Sequence, residues 1–419
     1  MSTNNNLTPP CLALPASDLA YRVTASGFDK PSEDDWVASQ IYSYAGVYQY
    51  GYAYDDQPQE KPKDRLESAC LIYIDYGGHL TLSFRGTAGK GNCGMLKDWL
   101  TNLDCDLVKM KTPQGELEVH HGFKKELDVI WKGIMHWVRH FDPEAKRKIN
   151  ITGHSQGGAL AFIAATKLAQ EKTPEGKYYN NIQGVTTFAA PKPGSLSFAN
   201  YYNDLKLQNE VTLGSVTVRY ENTADLVPLL PPKFGFPSKV PEWLDIIVQL
   251  MKNVAIVVID MIDIPQEEFG CKNVRKELRH IIDVMTKDTL SKEFYPVGDT
   301  LKFIGYKGKI TSPSQKAKEG EISEYTLVWI ENFLDKISNN SDYGNQMIEN
   351  IKNWDFIEAA KNAKKIYDEI MKKPEHLVTT LLEAHTLQPG NGYMLAACPN
   401  EAFAKGSDGK EFIHASKSK

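Results

Sequence analysis

The chain holds 419 residues, 42% of them hydrophobic and 24% charged, a balance that excludes a disordered polyelectrolyte and a collagen-like repeat. Its 48 basic and 53 acidic side chains leave a net charge of −5 with no long run of one sign, which argues against nucleic acid or a strongly anionic membrane as the main partner. The length suits two or three domains, or one large α/β domain carrying an insertion.

Residues 1–34 read as irregular, punctuated by Pro9, Pro10, Pro15 and Pro31. The start, Met1-Ser2-Thr3-Asn4-Asn5-Asn6, has neither the basic residues nor the apolar run of a secretory leader. The expectation is therefore a cytoplasmic protein, with signal-independent export as the alternative. The six cysteines at 11, 70, 93, 105, 271 and 398 show no C-x-x-C spacing, so neither a zinc module nor a redox pair is suggested and mostly reduced thiols are expected. A helix is expected to begin at Ser32, whose hydroxyl can cap it, with Glu33, Asp34 and Asp35 favoured by the positive end of its dipole. The Tyr-rich stretch that follows, from Tyr42 to Tyr54, is expected to be packing surface.

Short apolar runs then alternate with amphipathic ones. Strands are expected at Leu71–Asp75, Leu80–Arg85, Ile149–Thr152, Gly184–Ala189, Val216–Glu221 and Asp299–Tyr306, the first two joined by a Gly77-Gly78 turn. Helical periods cover 123–140, 157–171, 320–337 and 344–372. Strands separated by helices imply a mostly parallel sheet covered on both faces. The stretch 233–293 breaks this rhythm and reads as an insertion. Within Glu242–Ile262 the polar residues Asp245, Gln249, Lys252, Asn253 and Asp260 form one narrow stripe on an otherwise apolar helix. The recurring charges argue against a transmembrane span, leaving a cap helix as the expectation, with a lipid-facing helix or a buried strand as alternatives.

The run Ile149-Asn150-Ile151-Thr152-Gly153-His154-Ser155-Gln156-Gly157-Gly158-Ala159-Leu160 sets G-x-S-x-G between an apolar strand and a good helix former. A sharp strand-to-helix turn there would expose a strained Ser, with small neighbours preventing a clash between strand and helix. The helix N-terminus would offer N–H groups and a positive dipole end to a developing oxyanion. If Ser155 is a nucleophile, a carboxylate and then a His should follow in chain order. Asp225 lies just past the strand ending near Glu221, with Glu221 as its competitor. The base is to be sought among His280, His376, His385 and His414. His385 precedes the loop Gln388-Pro389-Gly390-Asn391-Gly392, which could carry an imidazole across the sheet end.

These residues carry a resemblance. Leu82-Ser83-Phe84-Arg85-Gly86-Thr87 is similar to the F-R-G-T/S segment of class 3 lipases, the fungal-type triacylglycerol lipase family. Asp98-Trp99-Leu100-Thr101-Asn102-Leu103 resembles that family's D-W-L-x-N/D-L, and Val119-His120-His121-Gly122-Phe123 its V-H-x-G-F. Thr187-Phe188-Ala189-Ala190-Pro191-Lys192-Pro193-Gly194 resembles its T-F-G-x-P-x-x-G. Asn222–Pro232 resembles its N-x-x-D-x-V-P-x-L-P, and Phe294-Tyr295-Pro296-Val297-Gly298 a further segment of plant-type members. The likeness spans residues 68–232 and implies an α/β-hydrolase fold with Ser155 as nucleophile and Asp225 as the orienting acid. It also implies an oxyanion hole from the Thr87 hydroxyl and N–H together with the Gln156 N–H. A family His followed by Tyr fits His385 and Tyr393.

The expected organisation is an irregular segment 1–34, a hydrolase core 35–232, an inserted cap 233–293, a second part of the core 294–393 bearing His385, and a polar tail 394–419. The expected activity is cleavage of lipid carboxylic esters without metal or cofactor, on a lipid ester substrate with transient contact to a lipid interface. A short-chain esterase or acyltransferase with the same triad, and a catalytically silent lipase-like interaction protein, are the alternatives. One departure from the family is the loop Ala88–Lys97, whose three glycines replace a short lid helix.

Overall fold

Apolar runs without a polar face need cover on both sides, and in the computed structural model they line up as a single eight-stranded sheet. The structure describes residues 10–32, 34, 42, 45–54, 68–86, 106–225, 227–229, 294–305, 309–313, 324–338, 340, 342–353, 355, 358, 361–362, 365–366, 368–369, 372, 380, 384–387, 393, 402–405 and 411–414.

The strands are β1 (Val23–Thr24), β2 (Gly27–Phe28), β3 (Val47–Tyr54), β4 (Ala69–Asp75), β5 (Leu80–Phe84), β6 (Leu107–Thr112), β7 (Gly115–His120), β8 (Ile149–His154), β9 (Ile182–Phe188), β10 (Thr217–Asn222), β11 (Thr300–Ile304), β12 (Ile310–Thr311), β13 (Ala402–Lys405) and β14 (Glu411–His414). The large sheet runs in the order β12-β11-β10-β9-β8-β5-β4-β3. Its centre from β5 through β8, β9 and β10 to β11 is parallel, while β3, β4 and β12 are antiparallel additions. Two smaller hairpins, β1–β2 and β6–β7, and the pair β13–β14 lie outside it.

Alternation along the strands decides which helix covers which face. Leu80, Leu82, Phe84, Ile149 and Ile151 join the main core with residues of the helices α2 (His121–Phe141) and α3 (Gln156–Leu168). Between them, Ser83 and Thr152 turn the other way and meet α1 (Pro10–Leu19): Ser83 Oγ donates to Ala16 O at 2.7 Å, and Ser17 and Thr152 share a hydroxyl bond of 2.8 Å. Further helices among the described residues are α4 (Leu196–Asp204), α5 (Glu324–Ser338) and α6 (Tyr343–Lys352). The expected α/β-hydrolase architecture is present: a mostly parallel sheet with helices on both faces.

Residues 1–34 are not uniformly irregular as the prolines suggested. Pro10 stands in the first turn of α1, where its missing N–H is harmless, and Pro15 is carried inside the helix. Leu14, Ala16 and Leu19 are fully buried beneath the sheet, and that burial outweighs one forfeited helix bond. The Tyr-rich stretch is largely the edge strand β3, with Tyr48 exposed and Ala53 in the core. The single helical period expected over 344–372 is interrupted at Asn353, and Asp355 Oδ1 then caps a new turn by accepting the Glu358 N–H at 3.0 Å. Most of the helix expected from Ser32, the loop 88–97 and the whole insertion 233–293 lie outside the described residues.

Candidate active site

The elbow is built by close backbone approach. A Cβ on Gly153 would stand 2.3 Å from Gly157 O, and one on Gly157 would stand 2.2 Å from Phe84 O, so the turn from β8 into α3 tolerates no side chain at either position. Between them Ser155 adopts φ 57° and ψ −134°, a conformation few L residues accept, so the strain sits on the one residue the turn presents. Its N–H donates to Phe188 O at 2.9 Å, and its carbonyl accepts the Gly158 N–H at 2.8 Å. The Ser155 hydroxyl does not cap α3, and its buried Oγ has no hydrogen-bond partner among the described residues. Gln156 opens α3 and is buried, so its N–H belongs to the first turn, where helical donors have no intrahelical acceptor. Thr87 lies outside the described residues; the preceding Gly86 comes against Ser155, with a Cβ on it 3.1 Å from Ser155 Cβ.

Asp225 follows the end of β10 and is 1% exposed, as is His385. His385 Nδ1 lies 3.0 Å from Asp225 Oδ1 and 2.9 Å from Oδ2, so the Nδ1–H donates to the carboxylate and Nε2 is the ring's acceptor nitrogen. The carboxylate also receives the Val227 N–H at 3.0 Å and the Tyr393 hydroxyl at 2.7 Å. Burial and the Asp225 charge push the Tyr393 phenol well above its ordinary value, which keeps the hydroxyl protonated as a donor. Its oxygen in turn accepts the Asn222 N–H at 3.0 Å. The competing carboxylate, Glu221, is held instead in a buried ion pair with Arg219 on the same strand. His280 and His376 lie outside the described residues, and His414 pairs with Ala402 in the β13–β14 hairpin.

Two residues that sequence reasoning assigned no part bring His385 to the elbow. His154, immediately before Ser155, has its ring 4.7 Å from that of His385 and its Nε2 2.6 Å from His385 O, so this N–H donates to the backbone carbonyl. Its Nδ1 then accepts the Tyr21 hydroxyl at 2.7 Å. Burial, reinforced by His385, holds the His154 ring well below the usual imidazole value, so it stays neutral in this one tautomer. The chain from Tyr21 through His154 thus braces the turn that carries His385. A His beside the motif Ser gave a hint of this; Tyr21, far off in sequence, gave none.

Residues 81–235 match the family model described as lipase (class 3). A lipase of Rhizomucor miehei is 31% identical over 155 residues, covering 36% of this chain and 38% of that protein. A protein of Fusarium solani named secreted mono- and diacylglycerol lipase 1 is 31% identical over 163 residues, covering 36% of this chain and 41% of that one. The match therefore spans well under half the length of these relatives. Among solved structures, M37 lipase is similar with a TM-score of 0.45 and 19% identity, over 78% of this chain and 93% of its own. The relative named as secreted overturns the cytoplasmic expectation, which rested only on the character of the first residues. Among the described residues no helix is long and apolar enough to cross a membrane. The segment 81–235, which carries the glycine-gated elbow and Asp225, is thus similar to the class 3 lipase family, while His385 reaches the site from beyond the matched residues.

Proposed function

We propose that the protein hydrolyses carboxylic esters of lipids through an acyl-enzyme on Ser155. One observation carries this reading above the others: a buried His385–Asp225 pair, bonded through Nδ1, whose His385 carbonyl is bonded by His154, the residue just before a Ser held at positive φ on a strand-to-helix elbow. His385 Nε2 takes the Ser155 proton as Oγ attacks the ester carbonyl, and Asp225 stabilises the imidazolium. The Gln156 N–H and Thr87 hold the oxyanion of the tetrahedral intermediate. His385 then returns the proton to the departing alkoxide. Water, deprotonated by the same imidazole, frees the fatty acid and restores the Ser155 hydroxyl. Mono- and diacylglycerols are the acyl esters to try first, being the substrates in the name of the Fusarium solani relative.

The test is labelling with a fluorophosphonate followed by a panel of lipid esters. Ser155→Ala should abolish both labelling and hydrolysis while the melting temperature holds, and His385→Ala should lower turnover by about 10⁶. A Ser155→Ala protein that keeps full turnover ends the proposal.

A further inference from the structure

We propose that Lys336 is a positioning residue of this site, a donor-only side chain that locks the Asn222 amide in the orientation that holds the His385 turn against Asp225. The inference rests on the ester-hydrolase reading above and deepens it. Lys336 lies on α5, is 6% exposed, and donates from its ammonium to Asn222 Oδ1. The same oxygen accepts the Ala224 N–H at 3.3 Å, in the turn that ends at Asp225. On the other side of the amide, Asn222 Nδ2 donates to Ala384 O at 3.1 Å, the carbonyl just before His385. One side chain thus ties the turn carrying the acid to the turn carrying the base.

An amide can sit either way round unless its neighbours decide. Turned over, Asn222 would set Nδ2 against the Lys336 ammonium and the Ala224 N–H, and Oδ1 against the Ala384 carbonyl: donors would face donors and an acceptor an acceptor. Lysine has three donors and no acceptor, so it permits one orientation only. Burial draws its ammonium down to about 8, opposed by the Asp225 charge, so the group is mostly cationic at neutral pH. A buried ammonium is costly, and a methionine would fill the same space without that cost.

The experiment compares Lys336→Met, Lys336→Gln and Lys336→Arg by kcat and KM on a soluble ester, each normalised to sites titrated with a fluorophosphonate. Methionine offers no donor. Glutamine offers both a donor and an acceptor and so satisfies the amide either way round. Arginine, like lysine, only donates. The expected result is a fall in kcat of about tenfold for Met and Gln with KM within about twofold, and recovery in Arg. Unchanged kcat per titrated site in Met and Gln overturns the proposal, as does an equal loss in Arg. If Lys336→Met does not fold, Lys336→Gln decides alone. Failure of the ester-hydrolase reading is seen separately, as unsubstituted protein that neither reacts with fluorophosphonate nor cleaves any ester.

Discussion

A single phenol illustrates how tightly residues are shared at this site. Tyr393 Oη donates to Asp225 and accepts from Asn222 N–H, and the side chain is fully buried. Tyr393→Phe keeps the ring but strands the Asn222 N–H and removes one donor from the carboxylate. The expected cost is about 1–3 kcal/mol in chemical denaturation with a smaller loss of kcat than His385→Ala. His154 makes a different prediction, in pH. Its folded value is depressed, so the unfolded chain binds the additional proton as pH falls below about 6.5, the ordinary imidazole value. Stability contributed by the neutral ring is complete above that pH and is lost as pH falls toward the folded value, by at most about 1.4 kcal/mol per pH unit. Denaturant melts of the parent and His154→Gln at pH 7.5 and 5 should show a shallower acid loss in the variant. Equal slopes would mean that other groups govern the acid limb.

At the scale of elements, what could be read from the sequence divides by how local its cause is. The elbow was legible because its requirement is contained in a dozen residues: an apolar strand, glycines where backbones approach, and a good helix former. Gly157→Ala tests that requirement, since its methyl would meet Phe84 O at 2.2 Å and pry α3 from β5; loss of both fluorophosphonate labelling and several degrees of melting temperature is expected. The strands β4, β5, β8, β9, β10 and β11 were legible to within a few residues, because strands buried on both faces are written as apolar runs. Asp225 and His385 were legible as candidates through chain order and family likeness, but only the folded chain pairs Glu221 with Arg219 and His385 with Asp225. The β6–β7 hairpin was overlooked although its signal is present: Val108 and Met110 alternate with polar residues, as do Leu117 and Val119, around Pro113-Gln114-Gly115. Helix α1 was hidden for a physical reason, because three prolines contradict helix by local propensity and only tertiary burial reverses them.

Across the whole molecule, the site depends on chain segments from both sides of the sheet's sequence. Ala13 and Leu14 of α1 share one apolar cluster with Phe188, Val218, Tyr220 and Ile304 of the sheet and with Leu387 and Tyr393 of the segment bearing His385. Tyr21 reaches the His154 ring from the same N-terminal stretch. Removing residues 1–22 would therefore do more than trim an end. It would take Leu14, Ala16 and Leu19 off the sheet, each worth roughly 1.5–3 kcal/mol or less of burial according to size, and leave Ser83 and Thr152 facing a void. With marginal stability the rule for domains, that loss exceeds what the fold can absorb. The expected product is a chain with native-like far-ultraviolet dichroism, strong binding of an apolar dye, no cooperative melt and no fluorophosphonate labelling. The milder Leu14→Ala should cost about 2–5 kcal/mol and still be labelled, because the polar chain from Tyr21 survives. A shortened protein that melts cooperatively within a few degrees of the parent would show that α1 merely rests on the sheet, and that His154 holds the His385 turn without Tyr21.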